Sequence, residues 1–170
     1  MELQRHIGRE LSGLKMALDR TLNTLTQQEV MWRPASGCNS IGLLLFHIAR
    51  SEDSIVQGIL RGKPEIWKAD KWYEKLGLPS EEAGGHYTVE QVNAFQVPEL
   101  KDLLAYYDAV RASTKGYLRG MQLEEFEKKV TFPNFGELPA SSVFSLIVTH
   151  TSEHIGEMSY LRGMQRGMDK

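Results

Sequence analysis

Apolar residues recur at spacings of three and four in three stretches of the chain, and each stretch predicts an amphipathic helix. The first runs from Leu3 to Leu25, the second from Leu100 to Met121, and the third from Val143 to Leu161. The repeating positions are Leu3, Ile7, Leu11, Leu14, Leu18, Leu22 and Leu25, then Leu100, Leu103, Tyr107, Val110, Thr114, Tyr117 and Met121, then Val143, Ile147, His150, His154, Met158 and Leu161. Three long helices with buried stripes follow from this pattern.

A fourth long helix is predicted from Asn39-Ser40 to about Leu60. Asn and Ser are favoured N-cap residues, and Arg61-Gly-Lys-Pro64 ends the helix. Its first half, residues 41–46, is apolar nearly all round, which is typical of a helix covered by neighbours on several sides. Four such helices predict an all-α four-helix bundle, in which ligand sites form between facing helices.

Residues 61–97 show no sustained helical period and contain several Gly and Pro residues. We interpret them as a long crossover after the second helix, with one short helix capped at Thr88-Val-Glu-Gln91. Because long structureless connections are uncommon in compact domains unless they are functional, we expect a lid or a pocket wall here.

Shorter sequence patterns predict the elements in the rest of the chain. Thr26 and Glu29 can form a capping box that follows the first helix. A short acidic helical piece is predicted over 123–128, and a loop over 131–139, because two prolines exclude a helix there. Residues 162–170 are predicted to be a frayed tail.

Composition and charge favour some classes of protein and argue against others. A chain of 170 residues with 41% hydrophobic residues fits one globular domain over residues 1–170. The net charge of −2 and the lack of a dense basic block argue against a nucleic-acid partner. No apolar run approaches the ~18 residues of a membrane-spanning helix, so we predict a cytoplasmic protein without a membrane partner. The lone Cys38 cannot form an intramolecular disulfide, and we interpret it as incidental, with a thiol nucleophile as the alternative.

Three histidines form a candidate metal site. His150 and His154 lie four residues apart on the stripe of the last helix, where a common ion can reach both. An unsatisfied polar group on such a stripe costs roughly 1 to 3 kcal/mol, and a metal would satisfy both rings. His47 is the third candidate, because it projects from the most apolar helix. His6, near the chain start, and His86, in the crossover, fit less well.

Other interpretations of these histidines stay open. They could be core residues bonded to carbonyls and carboxylates without a metal, or two of them could hold a haem. Three neutral imidazoles suit zinc, nickel, copper or iron better than magnesium or calcium, and they leave positions for water or substrate. Glu153 and Glu157 are candidate bases or orienting groups, with solvated helix-face charges as the alternative.

The chain resembles the DinB-like (YfiT-like) metalloenzyme family. The resemblance rests on Trp32-Arg-Pro34, on Ser40-Ile-Gly-Leu-Leu-Leu-Phe-His47 leading into Glu52, and on His150-Thr-Ser-Glu-His154-Ile-Gly-Glu157 followed by Leu161-Arg162. It implies an up-down-down-up four-helix bundle with a divalent metal held by His47, His150 and His154. Many relatives have Gln where this chain has Glu157.

The resemblance also implies a function. Characterised relatives include S-transferases that use low-molecular-weight thiols such as bacillithiol or mycothiol. We therefore expect a divalent transition metal (Zn, Ni, Fe or Mn) that activates a thiol cosubstrate or water for attack on a small electrophile. The alternative is a stress-related metal-binding structural protein without turnover. Relatives are often dimers, so a homodimer is expected. No residue beyond the three ligands is assigned a catalytic role.

Overall fold

The computed structural model describes residues 2–167, and the chain is mostly helical (68%). The predicted long helices are α1 (Glu2–Leu22), α3 (Ile41–Asp53), α7 (Leu100–Gly120) and α8 (Ala140–Arg166). A π-helical segment, Ser54–Leu60, continues α3 to the predicted end. The mainly helical class is therefore confirmed.

The caps that the sequence predicts are formed. The Ser40 hydroxyl accepts a hydrogen bond from the Leu43 amide at 3.2 Å, so α3 begins where expected. Thr26 and Glu29 form a capping box at the start of α2 (Gln27–Met31). Thr88 and Gln91 form another at the start of α6 (Val89–Ala94).

The crossover is more ordered than the sequence indicates. Besides α6, it contains α4 (Ile66–Ala69) and α5 (Trp72–Leu76), where only one short helix was predicted. Its aromatic residues are not an exposed patch, since Trp67 is 0% exposed and packs edge-on against Phe46. The crossover thus contributes to the core.

The predicted loop over 131–139 is wrong, because part of it belongs to a small two-stranded sheet that accompanies the helices. A 3-10 turn (Leu123–Phe126) leads into β1 (Lys129–Phe132), which pairs antiparallel with β2 (Gly136–Pro139). The turn between them uses left-handed backbone at Asn134 and Gly136, two residue types that tolerate positive φ. Proline excludes a helix here but is tolerated at a strand end, where Pro139 lies.

The last helix also extends further than predicted. Residues 162–166 belong to α8 rather than to a frayed tail, because two arginines attach this turn to the end of α1, the residues that follow it, and α2. Arg162 donates to the carbonyls of Thr21 and Asn23, and Arg166 forms an ion pair with Glu29 at 2.5 Å. Residues 168–170 of the predicted tail lie outside the described residues.

The arrangement of the long helices positions the candidate site. α3 packs against α7 and α8, and α1 packs against α8 and α7. At Gly42 the chain segments approach closely, since a Cβ there would lie 2.2 Å from Val97 Cγ1. The α3–α8 contact brings the histidine of one helix beside the pair on the other. Among the described residues, no helix has the length and apolarity needed to cross a membrane.

Candidate metal centre

His47, on α3, and His150 and His154, on α8, come together as the sequence analysis expected. One ring nitrogen from each lies within 4.8 Å of the others. The His150 Nε2 atom is 3.0 Å from His47 Nε2 and 3.2 Å from His154 Nε2. All three rings are half-buried. The Nε2 atoms therefore converge on one point between the two helices.

This spacing fits a shared metal ion. With Zn–N bonds of 2.0–2.1 Å and tetrahedral angles, two ligand nitrogens lie roughly 3.3 to 3.4 Å apart. The two measured separations are close to that value. Neutral imidazole nitrogens that face each other with lone pairs repel unless a proton or a cation lies between them. The donor set and its geometry thus suit a divalent transition metal.

Hydrogen bonds at the opposite ring nitrogens orient two of the ligands. His47 Nδ1 donates to the Gly84 carbonyl at 2.6 Å, and His154 Nδ1 donates to the Glu157 carboxylate at 2.7 Å. A proton on Nδ1 leaves a lone pair on Nε2, which is the atom that would bind a metal. Glu157 therefore has a visible orienting contact. Glu153 is exposed and, among the described residues, has no hydrogen bond to the histidines.

The surroundings of His47 and His150 favour the neutral form of these two rings. Burial lowers the pKa of His47 from its ordinary value. Burial, together with the charges that His154 and His47 would carry when protonated, lowers the pKa of His150 to about 4. Since a metal binds the neutral imidazole, this environment favours ligation over protonation at neutral pH.

The depressed pKa values predict how the metal-free protein responds to acid. Unfolded histidines take up protons near pH 6.5, whereas folded His150 does so only near pH 4. Protons therefore bind the unfolded chain preferentially, and stability should fall as pH decreases from about 6.5 to 4. Urea unfolding of metal-free protein at several pH values measures this. The loss should be smaller in His47→Gln/His150→Gln, and an equal loss would contradict the assignment.

The crossover fixes the carbonyl that orients His47. Gly84 has a φ of 79°, and a Cβ on it would lie 2.5 Å from Arg50 Cβ, so its backbone rests on the Arg50 side chain. Arg50 Nε donates to the Glu82 carbonyl at 3.1 Å. The Glu82 carboxylate accepts from the Gly84 amide at 3.0 Å and from the Tyr87 hydroxyl at 2.7 Å. These bonds hold residues 82–87 against α3.

Arg50 is itself held by several partners. It lies on α3 one turn after His47, and its guanidinium donates to Glu65 at 2.8 Å and to the Tyr106 hydroxyl at 3.2 Å. The Asp53 carboxylate, 3.5 Å away, accepts from the amides of Ile66 and Trp67. This buried network joins the start and the middle of the crossover to α3. Sequence reasoning missed Arg50, Glu82 and Gly84; the only signal was the glycine pair at 84–85.

We expect Gly84→Ala to weaken metal binding about 10- to 100-fold, the usual effect of disturbing a group that orients a ligand. The new methyl group would meet Arg50 and displace the carbonyl that accepts from His47. Competition with a chromophoric chelator measures the affinity. Gly77→Ala is the matched control, because Gly77 also has positive φ but nothing within 4 Å of its Cβ position. Equal affinities in the two variants would contradict the orienting role.

A cavity of about 180 Å³ opens beside the three histidines. Its lining includes His47, His154, Leu43 and Leu44 from the helices, and Gly85 to Tyr87 and Val92 from the crossover. The predicted pocket wall is therefore present. His86 lines this cavity but is exposed and outside the cluster of ring nitrogens, and His6 is exposed on α1. Cys38, half-buried, lines a neighbouring cavity.

Residues 10–158 match the sequence model of the DinB superfamily. The chain belongs to this superfamily. The crystal structure of a conserved protein from Enterococcus faecalis is similar, with a TM-score of 0.87, 24% sequence identity, and 99% of each chain covered. This likeness shows a shared fold. The comparison with curated proteins gives no match. All three histidines of the site lie within the residues that match the superfamily model.

Proposed function

We propose that this DinB-superfamily protein is a metal-dependent enzyme whose three-histidine site activates a low-molecular-weight thiol or water for attack on a small electrophile. The observation that carries the proposal is the convergence of three Nε2 atoms, two of them on rings whose Nδ1 atoms are already bonded. Three protein ligands leave coordination positions open for water or substrate, which is typical of catalytic metal sites.

The fold supports this proposal. We interpret the four long helices as an up-down-down-up bundle, with the site between α3 and α8. A small-molecule substrate and a homodimeric state, both expected from the family resemblance, belong to the same proposal. So does a cytoplasmic location, which we expect from the sequence pattern.

A bound divalent transition metal would supply a thiolate or hydroxide nucleophile at neutral pH. The residues of the chain would bind and orient. Gly84 and Glu157 hold two imidazole rings by their Nδ1 protons. Leu43, Leu44 and Val92 line the adjoining cavity with apolar surface that excludes water from the reacting groups.

Loading the purified protein with zinc, nickel, iron or manganese tests the enzymatic role. We expect thiol conjugation or hydrolysis in a panel of small electrophiles and esters, and His154→Ala should abolish it. His6→Ala is the matched control, because His6 is exposed on α1 and absent from the ring cluster. Activity that survives in His154→Ala would refute the proposal.

One observation favours a second candidate, a stress-related metal-binding protein without turnover. An ion at this site would join α3 to α8 and so stabilise the fold. Chelation lowers the melting temperature under either candidate. Only the enzyme should show a change in the visible spectrum of the cobalt-substituted site when a thiol is added.

A further inference from the structure

Two larger cavities adjoin the cavity at the histidines. One of about 560 Å³ shares Gly85, His86 and Tyr87 with it. Another of about 480 Å³ shares Asn39 and Leu44 with it and continues along Gly156 to Leu161 of α8. A small molecule with one atom at the metal would therefore extend into one of these two spaces.

The charged residues that line these spaces are of one sign. Glu81 and Glu82 line the larger cavity, and Glu157 lines the other. Within residues 2–167, no Lys or Arg is part of the lining of any of the three. A negatively charged group on a bound molecule would find no Lys or Arg side chain in these linings to pair with.

Two of the three carboxylates form no ion pair with Lys or Arg in the described part of the chain. Lys68 forms an ion pair with Glu81 at 2.9 Å. Glu82 instead accepts from the neutral Gly84 amide and Tyr87 hydroxyl, and Glu157 accepts from the imidazole of His154. The guanidinium of Arg50 forms its ion pairs with Glu65 and Asp53, and its Nε atom donates to the Glu82 main-chain carbonyl rather than to the Glu82 carboxylate.

Cationic side chains surround a different cavity. Arg61, Lys63 and Lys128 line a space of about 300 Å³ near Ala140, at the start of α8. With a rise of 1.5 Å per residue, Ala140 lies about 21 Å along the helix from His154. The lack of Lys and Arg is thus a property of the three cavity linings beside the histidines rather than of every cavity in the described part of the chain.

We infer that the site selects molecules that are neutral or cationic away from the atom that binds the metal, and that it disfavours carboxylates and phosphates. The inference rests on the proposed function, because it concerns the molecule that the metal activates. Its physical basis is the repulsion between Glu82 or Glu157 and an anionic group that occupies the cavity lined by that residue.

Three thiols of similar size test this selectivity on cobalt-loaded protein. Cysteamine carries an ammonium group, 2-mercaptoethanol is uncharged, and 3-mercaptopropionate carries a carboxylate. The visible spectrum of cobalt reports binding without any turnover. We measure each dissociation constant in the wild type, in Glu82→Gln/Glu157→Gln and in Glu153→Gln. Glutamine keeps an oxygen that accepts the same hydrogen bonds. Comparing ratios between proteins cancels the different acidities of the free thiols.

We expect the carboxylate thiol to bind the wild type most weakly. Its disadvantage against cysteamine should shrink about tenfold in the double variant. Glu153→Gln should keep the wild-type ratio, since Glu153 is exposed and outside the cavity linings. An unchanged ratio in a double variant that still binds cobalt would overturn the inference without contradicting the assignment of the three histidine ligands. A protein that binds no cobalt, or whose cobalt spectrum no thiol alters, would overturn the proposed thiol chemistry and the inference with it.

Discussion

Arg111→Met should destabilise the protein by about 3 to 5 kcal/mol, the usual cost of leaving a buried charge without its partner. Arg111, on α7, and Glu52, on α3, are 3% and 2% exposed. The guanidinium donates to the carboxylate at 2.7 Å from Nη2 and at 3.0 Å from Nε. Its Nη1 also donates to the Leu11 carbonyl of α1 at 2.7 Å. Loss of Arg111 would leave the Glu52 carboxylate buried without its partner. It would also remove the side chain that connects α7 to α3 and α1.

Urea unfolding of the metal-free protein measures this effect. Lys68→Met is the matched control, because the Lys68–Glu81 pair is exposed and such pairs contribute about 0 to 1 kcal/mol. The double variant Glu52→Leu/Arg111→Met should be more stable than Arg111→Met, since it leaves no buried charge unpaired. If Arg111→Met cost no more than Lys68→Met, the buried pair would not have the role described here.

The second large effect concerns metal-dependent stability. A metal present at 1,000 times its dissociation constant should stabilise the wild type by about 4 kcal/mol, because only the folded chain brings the three imidazoles together. His150→Ala should abolish this gain, since His150 Nε2 is the atom nearest to both other ligands. Thermal unfolding with metal and with excess chelator gives the comparison.

His6→Ala should retain the full metal-dependent shift in melting temperature, because His6 is exposed on α1 and outside the site. A similar shift in the wild type and His150→Ala would mean that the metal stabilises the protein elsewhere. That result would contradict the assignment of the site.

The sequence predicts the long helices and the three histidines because both signals are local. Periodic apolar residues define α1, α7 and α8, and the spacing of His150 and His154 places them on one face of α8. His47 stands out because an imidazole interrupts an apolar helix. These features need no knowledge of which segments pack together.

The supporting residues could not be predicted, because their roles depend on contacts between distant segments. Arg50 on its own is typical of a surface charge, yet it is buried against Gly84 and Glu82, more than thirty residues along the chain. Arg111 and Glu52 likewise become a buried pair only when α3 and α7 meet. The hairpin was missed because prolines exclude a helix without excluding a strand end.

Metal content per chain tests the central claim most directly. The protein is purified without a metal-affinity step, and bound metals are measured by elemental analysis in the wild type, His47→Ala, His150→Ala and His6→Ala. We predict close to one transition metal per chain in the wild type and His6→Ala, and almost none in the other two. A wild type that binds no metal after incubation with zinc, nickel, iron and manganese, or equal metal in all four proteins, would contradict the account.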